Sequence, residues 1–273
     1  MSLTKKIVQF VDNTLIDLGR EFRWSYLPPL MVYVAAGISG LTGIVGIFFI
    51  KDYLNLSAAF LAGLGFWAGI PWALKMPLGH LVDLIWSRKN YLVYVGAGLI
   101  ALSIIIMYGL IVHTETMASI LKVETWFIIS ALLAPVGYVT QDVVADAMTV
   151  EAIPSTDDQG IQYSTQQIKI MHTTMQTLGR FAIIGGFVLV ALINVVMFAG
   201  VSALSEAEKI EIYGRIYLYA LIIPLVSVSG VFLAIYLKRL RLEKLIKSGV
   251  SDEELKKLIT EFVASTQPNW WIL

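Results

Sequence analysis

Trp126–Val150 reads WFIISALLAPVGYVTQDVVADAMTV, and this one stretch decides the fold. Its length suits a helix crossing a hydrocarbon core of about 30 Å. Yet it carries Asp142 and Asp146 in its second half. A charge at a bilayer centre costs on the order of 2.5–3.5 kcal/mol even on insertion scales. A segment that keeps two must turn them toward other helices or a watered cavity. Lys75 and Arg180 pose the same problem in two further apolar stretches. Lys75, Asp142 and Arg180 each fall about ten residues from one end of their predicted helix. That places three charges at a common depth of roughly 15 Å.

Working outward, the 273 residues are 57% hydrophobic and 15% charged, with a mean hydropathy of +0.75. Soluble domains average about 45–50% apolar and about 25% charged. The expected spans are Leu30–Ile50, Ala58–Leu81, Tyr91–Val112, Trp126–Val150, Thr173–Val201 and Ile216–Leu237. The fold class is therefore all-α: a polytopic membrane protein with a six-helix bundle at 28–237. Residues 1–27 precede it as an amphipathic helix lying at the interface, and Pro28-Pro29 breaks the chain after it. Residues 238–267 form a polar linker, with Ser251 and Glu254 as a capping box for a short helix. After Pro268 the chain turns apolar again, so 268–273 reads as the first turn of a seventh span cut short.

Orientation follows from the basic residues. Fourteen of the twenty Lys and Arg fall on the side of Lys5, Arg88, Lys89 and the run Lys238–Lys257. Both ends of this segment are predicted to be cytoplasmic, in an inner or plasma membrane. There is no cysteine, which excludes disulfides and thiolate chemistry. His80, His113 and His172 are isolated, and no metal-ligand cluster, nucleophile elbow or phosphate loop is present. No cofactor and no enzymatic activity are expected. The basic residues follow the membrane edge, so nucleic acid is not an expected partner.

Each polar residue has two readings. Lys75, between Pro71 and Pro77, either faces a cavity and meets an anionic solute or pairs permanently with Asp142 or Asp146. Asp142 and Asp146, four apart, share a helix face. Two carboxylates so close in a low-dielectric site repel, which is the physical requirement for proton coupling; the alternative is a fixed pairing with Lys75 and Arg180. Gln141 either binds a solute or satisfies a neighbouring helix. Arg180 either holds Asp142 or exchanges it for a solute carboxylate, which its guanidinium fork suits. Asp83, Arg88, Lys89 and Glu151 lie at the cytoplasmic edge, as a gate latch or as ordinary anchoring. Gly37, Gly40, Gly43 and Gly46, with Gly65 and Gly69, read as helix-packing positions.

Gly79-His80-Leu81-Val82-Asp83 followed by Arg88-Lys89 resembles the loop between helices two and three of the major facilitator superfamily. Leu54-Asn55-Leu56-Ser57, Ile70-Pro71-Trp72-Ala73-Leu74-Lys75-Met76-Pro77-Leu78-Gly79 and Thr140–Ala147 resemble folate–biopterin transporters more closely. Gln-Asp…Asp-Ala patterns of the last kind also occur in muropeptide permeases and acetyl-coenzyme A transporters. Thr266-Gln267-Pro268-Asn269-Trp270-Trp271 resembles the entry to helix seven. The resemblance implies the amino-terminal half of a twelve-helix carrier that works by alternating access; Lys75 and Arg180 set against two carboxylates suit a small organic anion, pterin- or folate-like, and proton symport through Asp142 or Asp146 is the expectation that their pairing raises. The resemblance also implies the carboxy-terminal half of the same transporter as a missing partner, alongside lipid. The rival function is a non-transporting membrane scaffold or assembly factor with the same fold.

Overall fold

The computed structural model describes residues 21–49, 56–155 and 161–248. Of the amphipathic helix expected at 1–27, residues 1–20 lie outside these residues, as do the linker helix after Ser251, the start of a seventh span, Leu54 and Asn55; its described end, Trp24–Tyr26, is a 3-10 turn leading into the first span. Within them the chain is helical, with six helices long and apolar enough to cross a membrane. They are Trp24–Ile47, Ala58–Leu84, Asn90–Val112, Val123–Glu151, Thr165–Met197 and Glu206–Lys244, called here the first to sixth spans.

Local chemistry moves several of the expected limits. Pro28 and Pro29 do not break the chain but open the helix Leu27–Gly37, at positions where no backbone N–H is needed. The fifth span starts eight residues earlier than its hydropathy suggests. Ser164 and Gln167 form a capping box that satisfies the first free N–H groups, so the polar turn before Thr173 is helical. A second box, Ser205 with Glu208, starts the sixth span well before Ile216. The second span divides at Leu74 into Ala58–Ala73 and Lys75–Leu84. Pro71 and Pro77 lack the N–H groups that would tie this turn to the one before, and Lys75 is the first residue beyond the division.

The contacts among spans define two rows. The second, fourth, first and fifth spans pack side by side in that order, and the third and sixth lie behind the fourth and first. Small residues set the closest approaches. A Cβ at Gly96 of the third span would lie 2.7 Å from Gly137 O of the fourth. A Cβ at Gly37 would lie 2.5 Å from Ile183 O of the fifth. Gly230 of the sixth meets Pro28 O in the same way, at 2.8 Å. Ser103 and Ser130 bind each other's carbonyls and hydroxyls across the third and fourth spans. By contrast, Cβ atoms at Gly43, Gly65 and Gly69 would meet nothing within 4 Å. Within the glycine repeat of the first span only Gly37 makes a backbone-tight approach; a Cβ at Gly40 would stand an ordinary 3.8 Å from Val190 Cγ1 of the fifth span, and one at Gly46 3.8 Å from the Tyr217 hydroxyl of the sixth.

Candidate functional site

The front row carries the polar residues, with one or more from each of its four helices. The fourth span presents Asp142 and Asp146 one turn apart. Val139, Val143, Val144 and Ala147 around them fill a buried cluster with Val32, Tyr33, Val82 and Val93. That apolar packing fixes the rotation of the span and so aims its acidic face forward. Lys75 Nζ lies 2.5 Å from Asp142 Oδ2 and 2.9 Å from Asp146 Oδ2. Lys75 is the first residue after the break at Leu74. The Tyr33 hydroxyl of the first span donates to Asp146 Oδ1 at 2.6 Å. Its ring lies against Gly179 of the fifth span, where a Cβ would stand 2.9 Å from it.

Lys75 and Asp146 are open: their side chains are 39% and 50% exposed, against 10% for Asp142. The Asp142 carboxylate therefore sits at the back of the cluster, with the other two groups at its rim. Arg180, next to Gly179, is exposed and makes no ion pair among the described residues. The direct Arg180–Asp142 pair that sequence spacing allows is not formed. Lys75 occupies Asp142, and the Tyr33 ring packs beside the backbone that carries Arg180.

Gln141 turns to the back. It is buried and donates to Val93 O at 3.0 Å and to Ser227 Oγ at 2.8 Å. Both amide hydrogens are used, so Gln141 joins the third, fourth and sixth spans rather than facing the front.

A second ionic group lies at the end of the bundle where the fourth span finishes. Lys89 Nζ meets Glu151 Oε1 at 2.5 Å, and Lys238 Nζ meets Glu151 Oε2 at 3.1 Å. Lys89 is 4% exposed, lies over the Trp86 ring at 4.1 Å and donates to Trp86 O. Asp83 and Arg88 stay outside this group: Asp83 is exposed, and neither forms an ion pair among the described residues. Sequence reading missed Lys238 and Tyr33. Lys238 was absorbed into a basic run that topology alone explains. Tyr33 stands in a helix without charge, so nothing marked it.

Over 138 residues the chain is 30% identical to the folate-biopterin transporter of Synechocystis sp. (strain ATCC 27184 / PCC 6803 / Kazusa). The match takes in 49% of this chain and 26% of that protein, so this chain spans about a quarter of the curated relative. No family model and no solved structure matches the chain. The helices and the relative together point to an integral membrane protein related to transporters.

Proposed function

We propose that this chain is the amino-terminal six-helix half of a secondary transporter that moves a small organic anion by alternating access. Its termini face the cytoplasm, as the basic residues favour. The observation that carries this reading is the front face, where four membrane-spanning helices bring Tyr33, Lys75, Asp142, Asp146 and Arg180 to one open surface. Charges kept in a membrane and left partly accessible mark a solute or ion path. A permanent scaffold has no need to leave them open.

The cations divide the work. Lys75 is held by two carboxylates and is already neutralised, so it organises the site. Arg180 is the cation left to receive the solute's acid group, which it grips as a fork. Asp142 and Asp146 share one ammonium, and a proton entering that triad releases part of Lys75's hold. This gives proton coupling a physical route. The relative's printed substrates, folate and biopterin, set the first class to try.

The test is uptake of labelled pterins, folates and other small organic anions by vesicles carrying the full-length protein. Saturable uptake is expected, increased by an inward proton gradient and reduced by a protonophore. Indifference to the gradient removes the coupling. Absence of uptake for every anion removes transport and favours the scaffold.

A further inference from the structure

The fifth span, Thr165–Met197, carries two cations, Lys169 and Arg180, and no Asp or Glu. Lys169, Thr173, Gln176 and Arg180 follow one another at four, three and four residues, so they share one face of the helix. All four are exposed. The same face continues past Arg180 as Ile184, Phe187 and Val195, also exposed and all apolar. The strip thus changes character at Arg180. It is polar towards Thr165 and apolar towards Met197.

The polar part runs about 16 Å from Lys169 to Arg180. The Thr173 hydroxyl turns back on its own helix and donates to Lys169 O at 3.1 Å. The Lys169 ammonium and the Gln176 amide make no ion pair or hydrogen bond among the described residues. An amide held against hydrocarbon with nothing bound to it costs roughly 2–7 kcal/mol, so Gln176 belongs beside water or a polar solute. The second span, at the other edge of the front row, divides in the same sense. Phe66 and Trp67 are exposed before Lys75, and His80 and Asp83 after it.

We propose that the strip from Lys169 to Arg180 is a lane that admits anions from the cytoplasmic end of the bundle, with Lys169 as its mouth and Gln176 as the polar contact between. This rests on the anion-transport reading above. Two cations unopposed by any acid on their helix raise the local concentration of anions, and low-dielectric walls focus that field. A strip standing in bulk water has little such effect. The Debye length at physiological salt is about 8 Å, and Lys169 lies about 10 Å from Gln176 along the helix. Lys169 is therefore a positioning residue. It gathers the solute that Arg180 holds.

This chain has no cysteine, so a single thiol can report on the lane. The test places Gln176→Cys in a cysteine-free form of the full-length protein, in inside-out vesicles at about 0.15 M salt. Two membrane-impermeant reagents of opposite charge are added, 2-sulfonatoethyl and 2-(trimethylammonio)ethyl methanethiosulfonate. Each labelling rate is divided by that of a free thiol in solution. The expected preference for the anionic reagent is about tenfold or more, the range of a focused field. Lys169→Gln lowers that preference about threefold or more, and Lys169→Arg keeps it. Ile184→Cys, one turn past Arg180, stays unlabelled. A preference below about tenfold puts Gln176 in bulk solvent and overturns the lane. Indifference to Lys169→Gln overturns it too, as does labelling of Ile184→Cys at the rate of Gln176→Cys. A Gln176→Cys thiol inert to both reagents means that another helix covers the strip, which also overturns it. Uptake judges the reading beneath separately: with the preference intact, no uptake of any organic anion upholds the lane and overturns transport.

Discussion

At Lys75 one ammonium sits between two carboxylates; at Glu151 one carboxylate sits between two ammoniums. The two triads are charge mirrors, yet their surroundings differ. In the first, the shared ion is 39% exposed and one partner 50%. In the second, the shared ion is 20% exposed, Lys89 only 4% and Lys238 34%. The first faces the open row of the bundle. The second ties the start of the third span to the far ends of the fourth and sixth. Burial therefore tells a joint from a working site when composition cannot. A closed triad loses stability when a member is removed, and an open one loses a binding property.

The largest effect is expected at the closed triad. Glu151→Leu removes the carboxylate that Lys89 and Lys238 share, and breaking such a buried pair costs about 3–5 kcal/mol. Thermal unfolding of the purified protein in detergent is the measurement. Stability within about 0.5 kcal/mol of the native protein, a surface-substitution result, makes the group a dispensable latch and breaks the contrast.

Asp142→Asn probes the open triad. Lys75 keeps Asp146, so the change in unfolding stability stays under about 1 kcal/mol, the scale of a single hydrogen bond. Uptake falls about 30-fold, or about 2 kcal/mol, the low end for truncating one partner of a hydrogen-bonded charge pair. Equal losses of stability and uptake give the two triads one role.

Arg180→Lys keeps the charge and removes the fork. The expected result is a KM about tenfold higher, or about 1.4 kcal/mol, with unchanged unfolding. A native KM places the solute's acid group elsewhere and returns Lys75 to candidacy.

The sequence showed the helices and their acids because bilayer length and buried charge are one-dimensional signals. Asp142 and Asp146 had to share a face, and one face of one helix needs no partner to be deduced. What stayed hidden depends on partners. Arg180 is as deep as Asp142 by residue count, but depth says nothing of azimuth, and Lys75 reached Asp142 instead. Gln141 looked like a ligand for a solute because its neighbour Asp142 faces forward; a step of 100° turns it backward onto Val93 and Ser227. Capping boxes at Ser164 and Ser205 were legible in principle, but hydropathy set the limits of those spans and overrode them.

Glycine is where the contrast between closed back and open front predicts the least effect. Gly96 cannot accept a side chain: a Cβ would stand 2.7 Å from both Gln141 Cγ and Gly137 O. Gly65, also in a helix, has nothing within 4 Å of the same atom. The second span has no buried residue in its first segment, which packs chiefly on the fourth span with the rest of its surface outward. Gly65→Ala is thus expected to leave unfolding within about 0.5 kcal/mol of the native protein, as for a surface position. Any change should be slightly favourable, since alanine is the better helix former. Detergent thermal shift decides it. A loss above about 1 kcal/mol, the start of the overpacking range, means that Gly65 is packed against something, and the front row is then closed on that side. That result would leave the Lys75 triad less accessible than its 39% exposure implies, and the difference between the two triads would narrow from the side of the open one.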